Sequence, residues 1–255
     1  SKVIIAGDDD QSVYEWSGAD VSKFLNFSDK KVVLGHSYRL PEKVLKLAKK
    51  VTKDIKIRQK KVFESNGEEG LVDQATNLSN ANLTGGELIL ARTNRMLYDA
   101  ANELKLMGKV FELKNNVSLN PSILAAIKLY KEFLRGNEPE LKLMRFKKMF
   151  KKINRNVSWQ QAIKLHRNDV VYYEQMLNVD PTEAPIKLET FHSAKGSEND
   201  RVILYTGISY QVYNHMMQDP DAELRCLYVG MTRTKNRLTI MPPSDKFHYP
   251  DKYFN

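Results

Sequence analysis

Short apolar runs, set off by glycine or polar turns and alternating with longer stretches of helical spacing, constrain this chain most. Leu88-Ile89-Leu90-Ala91 follows Gly85-Gly86, and Val110-Phe111-Glu112-Leu113 follows Gly108. Strand signals return at 186–190 and 202–205, with a last strand at 237–241. Continuous apolar runs of this length read as strands buried on both faces. Ahead of them, residues 41–53 carry Val44, Leu45, Leu47, Ala48 and Val51 at helical spacing, with Pro41 at a tolerated first-turn position. Residues 95–107 read as a helix stopped by Gly108, and 221–235 as another. Strands alternating with helices predict an α/β fold, a parallel sheet flanked by helices.

Other segments complete this reading. Residues 18–28 are expected to form a short helix, 32–34 a strand and 67–70 a turn. Val3-Ile4-Ile5-Ala6 reads as a buried parallel strand with a functional loop at its carboxyl end. No initiator Met precedes it, which points to a fragment of a larger protein. Residues 121–177 change character: they are helical in pattern, basic and rich in Met, Phe and Trp. The block 116–179 is therefore expected to be a small all-helical insertion into the sheet domain.

Composition narrows the function classes. Of 255 residues, 42% are hydrophobic, enough for a core. No apolar run nears the ~18 residues of a membrane helix. The single cysteine, Cys226, excludes an internal disulfide and fits a cytoplasmic location. The net charge of +9 is concentrated. Residues 30–61 hold twelve Lys/Arg against Glu42 and Asp54, and residues 141–168 hold nine with no acid, so the remainder is net acidic. Two basic blocks on an acidic background fit either a polyanion partner or solvated helix faces.

Four motifs carry chemistry. Gly7-Asp8-Asp9-Asp10-Gln11-Ser12-Val13-Tyr14-Glu15-Trp16-Ser17-Gly18-Ala19 places three carboxylates at a strand tip. These could bind Mg²⁺, although neighbouring aspartates are expected to point different ways; the other reading is a helix cap. Gly35-His36-Ser37-Tyr38-Arg39-Leu40-Pro41 puts an arginine just before a helix, either a phosphate grip or a surface ion pair. Ile186-Lys187-Leu188-Glu189-Thr190-Phe191-His192-Ser193-Ala194-Lys195-Gly196-Ser197-Glu198 runs from a strand into a loop holding a histidine. Glu223-Leu224-Arg225-Cys226-Leu227-Tyr228-Val229-Gly230-Met231-Thr232-Arg233-Thr234-Lys235 has one apolar helical face, leaving Arg225 and Arg233 available for other work. Cys226 reads as a small buried hydrophobe.

Together these motifs resemble those of the superfamily 1 DNA helicases of the UvrD/Rep type. That family has Gly-Asp-Asp-Asp-Gln-Ser-Ile-Tyr-x-Trp/Phe-x-Gly-Ala, Asn-Tyr-Arg, Thr-x-His-x-Ala-Lys-Gly-x-Glu and Leu-Tyr-Val-x-x-Thr-Arg-x-Lys segments, similar to residues 7–19, 37–39, 190–198 and 227–235 in the same order. Arg92-Thr93-Asn94 resembles the end of a further family strand. The sequence departs from the pattern at Ser37 (Asn in the family), at Ser17 (often basic) and at Ser197 and Asn199, where the family has Gly-Leu-Glu-Phe. The resemblance covers about 1–115 and 183–242.

The resemblance implies a RecA-like, P-loop-NTPase-type sheet. Residues 1–28 would be the terminal piece of a first RecA-like domain. Residues 29–115 and 180–255 would form the second, with 116–179 a reduced counterpart of the family's inserted subdomain. It implies ATP with Mg²⁺ as substrate and cofactor. The P-loop and Asp-Glu metal ligands of the family precede residue 7 and are not found here, so no metal site is assigned and the chain alone is expected to be inactive. Gln11 resembles the γ-phosphate sensor, Arg39 and Arg233 the two arginine fingers, Tyr38 the adenine stack and Glu198 the ribose ligand. Tyr14 and Trp16 resemble base-stacking aromatics, and Thr190 and His192 DNA-backbone contacts. The partners implied are single-stranded DNA and duplex junctions, in repair or replication, with no membrane. Two alternatives stand beside this: a non-catalytic nucleic-acid-binding or docking module, and a metal-dependent nuclease built on Asp8, Asp9 and Asp10.

Overall fold

The structure is a computed structural model that describes residues 3–137, 144–179, 185–243 and 246–255; the side chain of Trp16 lies outside the description. The chain packs as two compact units, residues 1–100 with 187–255, and residues 101–186.

The first unit is built on five parallel strands. In chain order these are β1 (Leu71–Gln74), β2 (Leu88–Ala91), β5 (Ile186–Thr190), β6 (Asn199–Tyr205) and β7 (Thr234–Met241). They lie side by side as β1-β7-β6-β2-β5. All four residues of β2 are buried, as expected of a central parallel strand covered on both faces. The core of this unit packs the sheet against α2 (Glu42–Lys53), α7 (Tyr210–Gln218) and α8 (Pro220–Met231). Helix α2 buries Val44, Leu45, Leu47, Ala48, Val51 and Thr52, the stripe read from the sequence, and opens on Pro41 with φ −68°. Two basic residues in its last turn, Lys50 and Lys53, suit the negative end of the helix dipole. Helix α8 is buried almost all round, because Gly230 lets it close onto the sheet. A Cβ there would lie 2.9 Å from Leu204 Cδ1 and 3.0 Å from the Phe191 ring.

Two expected strands are absent. Residues 3–6 and 32–34 have no regular structure. Ile4 is 91% exposed and Val32 90%. A parallel strand needs a ladder neighbour, and among the described residues neither segment has one. Conversely, β1 forms where the sequence pattern shows no strand. The expected helix after Gly18 is the short α1 (Val21–Leu25), started by the Asp20 carboxylate, which accepts from Lys23 N.

The second unit holds a two-stranded hairpin, β3 (Phe111–Leu113) with β4 (Asn116–Val117). Its turn, Lys114-Asn115, has both φ positive, the type I′ pattern that matches strand twist. Helix α4 (Pro121–Leu134) starts at Asn120, whose side chain accepts from Ser122 N and Ile123 N. Between α3 (Asn94–Leu106) and α4 lies this hairpin; beyond α4 come α5 (Trp159–Ala162) and α6 (Arg167–Gln175). The core of the unit is aromatic: the Tyr130 and Phe150 rings stack at 5.1 Å, with Phe133, Trp159, Tyr172 and Tyr173 around them.

The basic stretch 141–168 is not one helix. Leu141 and Lys142 lie outside the described residues. Met144–Met149 forms a 3₁₀ helix, Phe150 bridges antiparallel to Ile163, and the chain doubles back between them. The Tyr130 hydroxyl donates to the carbonyls of Asn154 (2.8 Å) and Val157 (3.2 Å), and Asn156 N donates to Asn154 Oδ1. These bonds satisfy the turn and end any helix there.

Candidate nucleotide and nucleic-acid site

The acidic motif folds as a 3₁₀ turn, Asp9–Gln11, capped by Asp8, whose carboxylate accepts from Asp10 N at 3.2 Å. The three carboxylates converge rather than diverge: one oxygen of each lies within 4.8 Å of the others. What they converge on is Lys61. Its ammonium lies 2.6 Å from Asp8 Oδ1 and 3.2 Å from Asp10 Oδ2, and it also meets Asp9 Oδ1. Arg58 forks onto Asp10 through Nε (2.8 Å) and Nη2 (2.7 Å), and Gln59 N donates to Asp9 Oδ2 at 2.7 Å. Burial alone would raise the pKa of Asp10, but Arg58 and Lys61 outweigh it and hold it below the usual carboxylate value. The residues present do not fit a resident Mg²⁺, since protein cations already satisfy the carboxylates.

Arg225, expected to be free for other work, is instead buried. It donates to Asp9 O (3.1 Å), Glu15 Oε1 (2.8 Å) and Ile57 O (2.6 Å), tying α8 to the motif. Asp221 secures the same segment by accepting from Lys56 N and Ile57 N.

Gln11 lies between these acids and the last motif. Its Nε2 donates to Asp8 Oδ2 at 2.6 Å, and its Oε1 accepts from Arg233 Nη2 at 3.1 Å. Arg233 follows α8 and is only 1% exposed, its Nε donating to Val229 O at 2.9 Å. Burial, and then the charge of nearby Arg39, push its pKa down to about 10. Arg39 Nε is buried and has no hydrogen-bond partner among the described residues. Ser37 Oγ, standing where the family has Asn, accepts from Leu40 N at 3.0 Å and fixes this turn. Glu198 reaches Arg39 at 3.8 Å and Lys235 at 3.5 Å. Asn199, in place of an apolar anchor, donates to Gly86 O at 2.9 Å and accepts from Arg201 N. Gln11, Arg39, Glu198 and Arg233 are thus drawn together. Tyr38 stands apart at 89% exposure, its ring edge-on to His36 at 4.7 Å.

A second group gathers at the carboxyl end of β5. The Tyr14 hydroxyl donates to His192 O at 3.2 Å, and the Lys195 ammonium lies 5.2 Å from the Tyr14 ring centre. Thr190 and Ser193 close a small hydroxyl turn, with Thr190 N donating to Ser193 Oγ at 2.9 Å. His192 lies 3.4 Å from Cys226 Sγ, and burial followed by the Arg92 charge lowers its pKa. Burial pushes the Cys226 thiol up to about 12, so it behaves as a small buried hydrophobe. Behind it, Glu223 accepts both prongs of Arg92 at 2.8 and 2.7 Å, with His215 Nδ1 at 3.0 Å. Motif reading missed Arg58 and Lys61; their only signal was membership in the basic block 30–61.

Residues 126–244 match the UvrD-like helicase C-terminal domain, and residues 1–32 the UvrD/REP helicase N-terminal domain. The ATP-dependent DNA helicase PcrA of Bacillus subtilis (strain 168) is 32% identical over 72 residues, covering 26% of this chain. The match spans only 10% of that relative's length. No helix among the described residues is long and apolar enough to cross a membrane. A parallel, RecA-like α/β sheet and two UvrD-type domains matched in chain order place this chain in the UvrD/Rep helicase family.

Proposed function

We propose that this chain is the C-terminal part of an ATP-dependent DNA helicase that couples ATP hydrolysis to translocation on single-stranded DNA and to unwinding at duplex junctions. Residues 1–28 then end the first RecA-like domain, 29–115 with 180–255 form the second, and 116–179 are its insertion. The observation that carries this reading is the pairing of two like charges: Arg233, buried with a lowered pKa, beside Arg39 with an unpartnered buried Nε. Glu198, 3.8 Å from Arg39, leaves that Nε without an acceptor, and a transferring γ-phosphoryl group supplies one.

In this reading water attacks the γ-phosphorus while its bond to the β-bridging oxygen breaks. Arg39 and Arg233 stabilise the charge on the group in flight, and Gln11, bonded to Arg233, orients the water. Glu198 and Tyr38 hold ribose and adenine. Mg²⁺ supplies charge neutralisation when bound with ATP, through ligands other than the Asp8–Asp9–Asp10 group. Tyr14 and Trp16 stack on bases, and Thr190 and His192 contact the backbone, which is sequence-tolerant binding suited to a motor.

The test is steady-state ATP turnover by the whole protein and by this chain alone, each with and without single-stranded DNA. DNA-stimulated turnover by the whole protein and none by the chain is the expected result. Turnover by the chain alone defeats the assignment as a part, and none by the whole protein favours a docking module.

A further inference from the structure

We infer that Lys61 is a positioning residue for the phosphate site: it holds Asp8 in place, and Asp8 orients the amide of Gln11 toward Arg233. The inference rests on Gln11 acting at the γ-phosphate, as proposed above.

The geometry is a relay. Lys61, its side chain 7% exposed, donates to Asp8 Oδ1 at 2.6 Å. The other oxygen of Asp8 accepts from Gln11 Nε2 at 2.6 Å, and Gln11 Oε1 accepts from Arg233 at 3.1 Å. A side-chain amide has two faces of opposite polarity. Anchoring Nε2 on a carboxylate therefore decides that the oxygen faces the guanidinium.

Lys61 is the member of this relay with the most to hold. Asp10 has Arg58 as a second counter-ion, and Asp9 has Gln59 N. Asp8 has only Lys61 as an ionic partner among the described residues, and its side chain is the most exposed of the three. Three carboxylates this close repel one another without a cation between them. Losing Lys61 drives out the acid with an open path to water, which is Asp8. Gln11 then loses the acceptor that fixes its amide.

The experiment is DNA-stimulated ATP turnover by the whole protein, comparing wild type with Lys61→Gln, Lys61→Arg and Asp8→Asn, each checked for a native melting transition. For Lys61→Gln, kcat should fall roughly 10- to 100-fold, the scale of a small misplacement at a reacting centre. KM for ATP should stay within about twofold, since ground-state binding is untouched. Lys61→Arg should recover most of the rate. If Lys61→Gln fails to fold, Asp8→Asn decides: it leaves two carboxylates opposite two cations and still removes the middle of the relay. A folded variant of either kind with near-normal kcat overturns the inference.

Should wild type turn over no ATP, the ATPase reading falls and the relay is read by NMR from the Gln11 side-chain amide. Its Nε2 protons should be shifted downfield in wild type and Lys61→Arg, and return toward free-amide positions in Lys61→Gln and Asp8→Asn. An unmoved signal in those two variants overturns the relay itself.

Discussion

Arg233 donates to the Gln11 side-chain oxygen at 3.1 Å although 222 residues separate them. One hydrogen bond thus joins the acidic motif at the start of the chain to the end of α8. In the proposed reading Arg233 both meets the transferring group and touches Gln11, so it should matter more for the chemical step than for binding. In the whole protein, Arg233→Ala and Arg39→Ala should each lower kcat by about 10³–10⁵, with a much smaller change in KM for ATP. Arg233→Lys should not restore the rate, because Val229 O and Gln11 Oε1 are bonded by two separate nitrogens of one planar fork, which a point-like ammonium does not reproduce. Rapid-quench and steady-state kinetics separate the two parameters, and near-normal kcat in both alanine variants removes these roles.

Gly230 offers a test of sign. Glycine to alanine inside a helix is ordinarily worth up to about 1 kcal/mol of stabilisation. Here the added Cβ would press on Leu204 and Phe191 at 2.9–3.1 Å, both in the buried core. Overpacking of this kind costs about 1–3 kcal/mol. Gly230→Ala should therefore destabilise, and Gly230→Val more so. Denaturant unfolding measures both, and a more stable alanine variant contradicts the close packing of α8 on the sheet.

Glu223 carries a pH signature. Burial pushes its carboxyl up, but the Arg92 fork and His215 outweigh it, so its folded pKa lies below the ordinary value. A depressed folded pKa gives stability that is present at neutral pH and lost as pH falls through the carboxylate range into the acid. Glu223→Gln should lower stability at pH 7 by roughly 3–5 kcal/mol, as for a broken buried pair. It should also flatten the loss of melting temperature between neutral and acid pH. Parallel pH profiles in wild type and variant refute the linkage.

The legible parts of this fold are those with local causes. Helix α2 shows in the spacing of Val44, Leu45, Leu47, Ala48 and Val51, and β2 in four apolar residues after two glycines. Strand β1 is hidden because it is half exposed and its register depends on Asp73 meeting Arg237 and Thr239 far along the chain. Val32 and Ile4 mislead because an apolar run signals a strand only where a neighbour exists to pair with it. The motifs locate Gln11, Arg39 and Arg233. Arg58, Lys61 and Arg225 cannot be read, since their partners are 48, 53 and 210 residues distant and ion pairs leave no periodic trace.

The basic stretch of the second unit yields the last prediction. With 144–149 a 3₁₀ helix and the chain folded back beyond it, the pattern is sidedness rather than a helical stripe. Phe146, Met149, Phe150 and Ile153 pack into the aromatic core, while Lys147, Lys148, Lys151 and Lys152 face solvent. None of these four lysines makes an ion pair with a described residue, in contrast to Lys105 with Asp169 in the same unit. Four ammonium groups within six residues, without an acid among the described residues to pair with, repel one another at low salt, and a row of phosphates relieves this. Replacing all four with Gln should weaken DNA binding and reduce the slope of log affinity against log salt by about 0.7–0.9 for each phosphate no longer neutralised. Melting temperature should hardly change, because the apolar face is untouched. Fluorescence anisotropy with labelled DNA at several salt concentrations reads the slope; an unchanged slope assigns the patch to solubility or to a protein partner instead.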